Sequence, residues 1–199
     1  AQATQTDFPT SGRGGINADF TLLLNDYSYD QLAHLVDLAI KDNKQESYNS
    51  GVKVMESGTI DKTDFDANAG LYYYPPYGAT GVDVAVSLDS PSSVGASEKL
   101  IIFVEDDLNI NKNITVTPGG FLAFIVKGNI KIAGGTEADP LTQVQGVYFA
   151  NGSLTVESKG DTSEQQFNGQ GIFVGKNGVS LERNFRSVAN TTTPTEIFT

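Results

Sequence analysis

The fold is decided by four related stretches in the second half of the chain: LIIFVEDDLNI (100–110), FLAFIVKGNIKI (121–132), VYFANGSLTV (147–156) and GIFVGKNGVSL (171–181). Each begins with an apolar run rich in β-branched and aromatic residues, passes through a polar turn and ends in a short alternating run. The apolar runs end at Val104, Val126, Phe149 and Val174, which gives a repeat of 22, 23 and 25 residues.

That repeat length is typical of a β-solenoid. One coil needs a few strands of about 4–6 residues and their turns, or roughly 20–25 residues. The continuous apolar run predicts a strand covered on both faces, and the alternating run predicts a strand with one face in solvent. We therefore predict an all-β parallel solenoid. The alternative is an antiparallel β-sandwich or jelly roll, in which Asn151-Gly152 and Asn177-Gly178 would form hairpins.

An amphipathic helix is predicted over residues 29–43. Ser28 and Gln31 have the spacing of a capping box, and the helix carries one apolar stripe: Leu32, Leu35, Val36, Ala39 and Ile40. His34 lies opposite that stripe and is expected in solvent. Because the ends of a solenoid expose unpaired backbone groups, we expect the helix to cap the first coil.

The composition shift near the Ser- and Gly-rich stretch 91–97 divides the chain. We predict an N-terminal arm or linker over residues 1–19 and a cap segment over 20–97 that holds the helix and the first strands. The solenoid repeats are predicted over 98–199.

Composition excludes several classes of function. The 199 residues include no Cys and one His, which excludes thiolate metal sites, cysteine nucleophiles and His clusters. The net charge of −11 argues against nucleic acid as a partner. No apolar run approaches the length of about 18 residues that would span a membrane. The first residues look like a mature start after removal of a targeting signal, so an extracellular or cell-surface location is expected.

Three adjacent acids, Glu105, Asp106 and Asp107, form the densest carboxylate cluster. They predict either a solvated turn or a Ca²⁺ site, since Ca²⁺ prefers several oxygen ligands at once. No other cofactor is expected. A polysaccharide lyase or glycoside hydrolase is a weaker alternative, because the repeat stacks no two acids in one position. We therefore expect the protein not to be an enzyme.

Tyrosines and sequons supply the remaining candidates. Four tyrosines are predicted to lie in the core, to form an interface or to stack on a sugar ring: Tyr72, Tyr73, Tyr74 and Tyr77. Three N-glycosylation sequons begin at Asn113, Asn151 and Asn190.

The runs LIIFVEDDLNINKNITVTPGGFLAFIVKGNIKIAGG (100–135), VQGVYFANGSLTVES (144–158), FNGQGIFVGKNGVSLER (167–183) and TTTPTEIF (191–198) carry a family resemblance. Residues 100–199 resemble secreted cell-surface β-helix proteins of small-genome candidate-phylum bacteria, which share the architecture of bactofilin-type polymer-forming domains. The resemblance implies a right-handed parallel β-helix and no known activity. The turn 105–107 departs from the family pattern, which has a glycine-containing turn there.

Together these observations predict an extracellular structural protein, a subunit of a self-assembling surface filament or layer. Its expected partners are further copies of itself, because an uncapped solenoid end near 181–198 favours stacking on another subunit. The alternative is a carbohydrate-binding or polysaccharide-cleaving β-helix protein, with cell-surface glycans as partners.

Overall fold

The computed structural model describes residues 28–35, 51–55, 58–65, 70–76, 82–84, 93–135, 140–160, 164–183 and 196–199. The predicted arm 1–19, the helix beyond residue 35, Tyr77 and Asn190 lie outside these ranges. Within them, no helix is long and apolar enough to cross a membrane.

The described chain forms one short helix and a series of parallel strands. The helix is α1 (Tyr29–Leu35). The strands are β1 (Val52–Val54), β2 (Leu71–Tyr74), β3 (Val82–Val84), β4 (Lys99–Val104), β5 (Leu108–Ile110), β6 (Phe121–Val126), β7 (Ile130–Ile132), β8 (Gln143–Ala150), β9 (Leu154–Val156), β10 (Phe167–Gly175), β11 (Val179–Leu181) and β12 (Glu196–Phe198).

Two parallel sheets make the walls of a solenoid. The long sheet has the order β1-β2-β4-β6-β8-β10-β12, and the short sheet has the order β3-β5-β7-β9-β11. Each apolar run of the repeat is a long-sheet strand, and each alternating run is a short-sheet strand. Single parallel bridges, Val94 to Val116 and Ile114 to Val144, link the coils on a third side. The all-β parallel β-helix is confirmed, and the hairpins of the sandwich alternative do not form.

The register corrects one step of the sequence repeat. Phe149 pairs with Ile125, and the residue that pairs with Val126 is Ala150. The steps from Val104 to Val126, Ala150 and Gly175 are therefore 22, 24 and 25 residues. Because side chains alternate between the two faces of a strand, this shift of one residue turns Phe149 outward and places Ala150 in the core.

The solenoid begins earlier than residue 98. Strands β1 and β2 pair in parallel with each other, and β2 pairs with β4 in the same sheet. Likewise β3 pairs with β5. The sheets therefore run without interruption across the predicted boundary at residue 97.

The interior is filled by inward side chains stacked from coil to coil. In the short sheet, Leu108, Ile130 and Leu154 are fully buried one above another. In the long sheet, Phe124 stacks on Tyr148 with 5.5 Å between ring centroids, and Tyr148 stacks on Phe173 at 5.1 Å. Burying a large apolar side chain contributes roughly 1.5–3 kcal/mol, so these columns hold the coils together.

The corners of the coils depend on glycine. Gly146 and Gly171 pair in adjacent coils and have φ angles of 132° and 131°. A Cβ atom on Gly171 would lie 1.9 Å from the carbonyl oxygen of Gly146. Only glycine fits such a position, where the chain bends from the third side into the long sheet.

The described part of the helix, Tyr29–Leu35, packs on the outer face of the long sheet instead of covering the end of the solenoid. Tyr29 packs edge-on against Phe103, with ring centroids 5.8 Å apart, and Tyr29 and Ala33 join the cluster that contains Tyr73. The predicted stripe is therefore wrong in part, because Leu32 is half-buried and Leu35 is 78 % exposed. The side of the helix that meets the sheet is the one that carries Tyr29. His34 is exposed, as predicted.

The interior at the N-terminal end is closed by a different segment. Met55, Ile60 and Phe65 pack against the inner core, and the ring of Phe65 lies 4.8 Å from that of Tyr72. Met55 is 6 % exposed and Ile60 is fully buried. We call these three residues the closed end.

Candidate functional site

The acidic turn between β4 and β5 fastens the helix to the sheet. Glu105 accepts hydrogen bonds from the Tyr29 hydroxyl at 3.1 Å and from the Tyr73 hydroxyl at 3.2 Å. Lys127, in the equivalent turn of the next coil, forms an ion pair with Glu105 and lies over the Tyr29 ring. Hydrogen bonding to Glu105 raises the pKa of Lys127, with burial acting against it. Burial and the nearby Glu105 charge raise the pKa values of Tyr29 and Tyr73.

The other acids of this turn have separate partners. Asp107 accepts hydrogen bonds from the backbone N–H of Asn129 at 2.7 Å and from its side-chain amide at 3.0 Å. The Asn129 side-chain oxygen in turn accepts from the backbone N–H of Ser153 at 2.9 Å. Asp107, Asn129 and Ser153 thus form a polar ladder along the coil corners. Asp106 accepts from the backbone N–H of Asp107.

The three acids do not converge. Across the described ranges, no group of three or more His, Cys, Asp or Glu residues has an arrangement that could hold a metal ion. A calcium ion at this turn would have to compete with Lys127 for Glu105 and with Asn129 for Asp107. Calcium binding by Glu105, Asp106 and Asp107 stays a prediction of the sequence.

The tyrosine run belongs to the core. Tyr72 and Tyr74 point into the solenoid, while Tyr73 lies beneath the helix, and all three are fully buried. Of the settings expected for the tyrosines, these three occupy the core, while Tyr77 lies outside the described residues and an interface role stays a prediction. The three adjacent rings are buried together because the long sheet is covered on both faces here.

Two sequons lie within the described residues, and their amides are partly enclosed. The Asn113 side chain donates to the carbonyl oxygen of Pro140 at 3.1 Å and accepts from the backbone N–H groups of Thr142 and Gln143. Asn151 is half-buried, with a buried side-chain oxygen. Attachment of a glycan to Asn113 would replace one of the two hydrogens of the amide nitrogen that donates to Pro140. Glycosylation at these positions stays a prediction.

One buried ion pair was not predicted from the sequence. Arg183 and Glu164 lie 2.9 Å apart, with side chains that are fully buried. Arg183 also donates to the carbonyl oxygens of Ala133, Gly134 and Leu141. Burial alone would raise the pKa of Glu164, but hydrogen bonds from Ser158, Arg183 and the backbone of Lys159 lower it overall. No local pattern joins these two residues, which lie 19 positions apart in the sequence.

The last coil presents core positions to solvent. Val179 and Leu181 continue the inward columns of the short sheet but are 47 % and 48 % exposed. Their partners in the preceding coil, Leu154 and Val156, are fully buried. Phe198 packs against Phe173 at the end of the aromatic stack and is 37 % exposed. We call Val179, Leu181 and Phe198 the open end.

The two ends of the described solenoid therefore differ. At the closed end Met55 and Ile60 are buried and Phe65 is partly buried, whereas at the open end the apolar side chains are 37–48 % exposed. In the part of the chain that the structure describes, no strand pairs with the outer edge of β11. An edge strand with exposed apolar residues is a template for pairing with another chain.

Comparisons of the chain with models of protein families, with curated proteins and with solved structures found no match. The resemblance of residues 100–199 to secreted bacterial surface proteins stays a prediction. The open end, defined by its geometry, is the candidate functional site.

Proposed function

We propose that this protein is an extracellular structural protein, a subunit of a self-assembling surface filament or layer. The observation that supports the proposal is the open end, where Val179, Leu181 and Phe198 expose apolar surface in positions that are core elsewhere. The extracellular location rests on the resemblance of the repeat to secreted surface proteins.

The open end carries the same kinds of group that hold neighbouring coils together. Inside the solenoid, the short-sheet strands β5, β7 and β9 each bury two apolar side chains and pair their backbone with the next coil. At β11 both contributions are incomplete within the described residues, because no described strand pairs with its outer edge and the side chains of Val179 and Leu181 are about half exposed. Burial of apolar surface and pairing of backbone groups both favour association.

The test is the state of assembly of the whole chain and of a double variant, Val179→Lys with Leu181→Lys. Light scattering and negative-stain electron microscopy over a concentration series should show assemblies for the unaltered chain. The double variant should stay monomeric, because two lysines at the open end repel their counterparts and resist burial.

The matched control is Thr155→Lys, which adds a lysine to the adjacent strand β9 at a position whose neighbours in the sheet are Lys131 and Ser180. This variant should assemble like the unaltered chain. Monodisperse monomers of the unaltered chain at the highest concentration would contradict the proposal, and so would equal assembly of the double variant.

A further inference from the structure

We infer that helix α1 opens as a unit, detaching from the outer face of the long sheet while the coils beneath it stay folded. The carboxylate of Glu105 is the latch that holds the helix closed. This device goes beyond the proposed function and is independent of the open end, because α1 packs on β2, β4 and β6 through Tyr73, Phe103 and Ile125.

The coils have a core of their own on the other face of the sheet. The inner core is built from inward side chains of both sheets, among them Ile102 and Phe124, whereas Tyr29 and Ala33 of α1 belong to a second cluster on the outer face. The long-sheet strands beneath the helix pair with their neighbours in adjacent coils. Detachment of α1 therefore leaves the strand pairing and the inner core in place.

The helix depends on its contacts with the sheet. Tyr29 and Ala33 are buried, Leu32 is half-buried and Leu35 is 78 % exposed, so few side chains hold the described helix down. Even the full helix predicted from the sequence, residues 29–43, is no longer than the length of about 12–15 residues below which isolated helices are marginal in water. An element with few buried contacts is one that opens locally, at a lower free energy than the whole fold.

The polar contacts between the helix and the sheet converge on Glu105. Its carboxylate accepts hydrogen bonds from the hydroxyls of Tyr29 and Tyr73 at 3.1 and 3.2 Å and forms an ion pair with Lys127. Lys127 also lies over the Tyr29 ring, with its nitrogen 5.8 Å from the ring centroid. Hydrogen bonds to a charged acceptor are about twice as strong as neutral ones. One negative charge therefore contributes much of the attachment of the helix.

Opening uncovers apolar surface on a folded solenoid. Beneath the helix, Tyr73 is fully buried and Phe103 is 1 % exposed, and Ile101 and Ile125 pack against the same cluster. These side chains belong to the outer wall of the long sheet, which water reaches once α1 has left. The helix therefore controls access to an apolar patch, which stays covered while Glu105 holds Tyr29.

Thiol labelling tests the inference, since the native chain has no Cys. Ala33→Cys places a thiol beneath the helix, where Ala33 is 6 % exposed, and Ala150→Cys places one in the inner core, where Ala150 is fully buried. Both variants are treated with an excess of an aromatic disulfide reagent, at concentrations below those at which the chain assembles. The thiol at position 33 should react at least about tenfold faster, because opening the helix costs less free energy than opening the coils.

Glu105→Gln tests the latch, because it keeps the shape of the side chain and removes its charge. Loss of the charged acceptor should speed the labelling of Ala33→Cys about tenfold and leave that of Ala150→Cys unchanged. The matched control is Glu157→Gln, which removes the exposed pair with Lys131 and should change neither rate. Circular dichroism checks that each variant is folded.

Hydrogen exchange provides a measurement that needs no cysteine. In the unaltered chain, the amide of Leu32, which donates to the carbonyl oxygen of Ser28, should exchange faster than the amides of β4. Glu105→Gln should widen that difference about tenfold.

Two results would overturn the inference. Equal labelling rates at positions 33 and 150 would show that the helix opens only together with the coils. An unchanged rate for Ala33→Cys in the Glu105→Gln background would show that Glu105 is not the latch. Both measurements are made on the unassembled chain, so their failure leaves the proposed function standing, and failure of the chain to assemble leaves this inference standing.

Discussion

At the scale of single residues, Arg183 joins parts of the chain that the strands leave apart. Its guanidinium binds the Glu164 carboxylate and the backbone carbonyl oxygens of residues 133, 134 and 141. One side chain therefore links three successive coils, on the side away from the acidic turn. A buried charge is tolerated only where it is paired and hydrogen-bonded. Here the two terminal nitrogens of one guanidinium donate to the Glu164 carboxylate and to backbone carbonyl oxygens.

Replacing Arg183 by Met should lower the free energy of unfolding by about 3–5 kcal/mol, because it leaves the buried Glu164 without its ion-pair partner. Urea unfolding followed by circular dichroism measures the change. The control is Lys131→Met, which removes the exposed pair of Lys131 and Glu157 and should cost less than about 1 kcal/mol. An equal loss of unfolding free energy in the two variants would show that the buried pair contributes no more to stability than the exposed pair.

At the scale of elements, the helix is held to the sheet by one carboxylate that serves three donors. Tyr29 reaches Glu105 from the helix, Tyr73 reaches it from the second strand, and Lys127 reaches it from the next coil. The hydroxyls are buried with the rings against the sheet, so ionising either tyrosine would place two negative charges together in an apolar setting.

This arrangement predicts a loss of stability at alkaline pH. Burial raises the pKa values of Tyr29, Tyr73 and Tyr148 above the ordinary value of 10.0. The folded chain therefore keeps these protons where the unfolded chain releases them. Their contribution to stability is present below pH 10 and is lost as the pH rises further.

An absorbance titration at the phenolate band measures this effect. The chain has eight tyrosines, and at least three should fail to ionise near pH 10 and should ionise together only when the protein unfolds. Tyr29→Phe should reduce the delayed fraction by one tyrosine. Ionisation of all eight in a single ordinary step would contradict the burial of the hydroxyls.

At the scale of the whole molecule, the solenoid is a one-dimensional stack in which each coil depends mainly on its neighbours. Strand β7 has a paired neighbour on each side, whereas β11 has a described neighbour on one side only. Local stability should therefore fall toward the open end, where fewer apolar contacts are made and more backbone meets solvent.

Hydrogen exchange on the monomeric chain tests that gradient. The backbone amides of β7 should exchange most slowly among the short-sheet strands, those of β9 faster and those of β11 fastest. The amides of β11 should become protected at concentrations where the chain assembles, while those of β7 should change little. Uniform protection from β7 to β11 in the monomer would contradict an open end.

Local periodicity in the sequence was enough to predict the features that depend on a short repeat. Apolar runs at intervals of 22–25 residues were enough to predict parallel coils, and the Asn, Asp and Gly residues between them predicted the corners. The alternating strands β5, β7 and β9 were likewise predicted, because the period of two places their inward residues without reference to distant chain.

Which surfaces meet depends on contacts between parts of the chain that are distant in sequence. The helix turns Tyr29 rather than Leu35 to the sheet because Glu105 and Phe103, more than 70 residues away, provide its contacts. The step from Val126 to its partner in β8 is one residue longer than the sequence repeat suggested. Ala150 rather than Phe149 therefore points into the solenoid interior. The pairing of Arg183 with Glu164, and the exposure of Val179 and Leu181, also depend on how coils stack. A sequence pattern records which residues are apolar, and contact between distant coils determines which of them are covered.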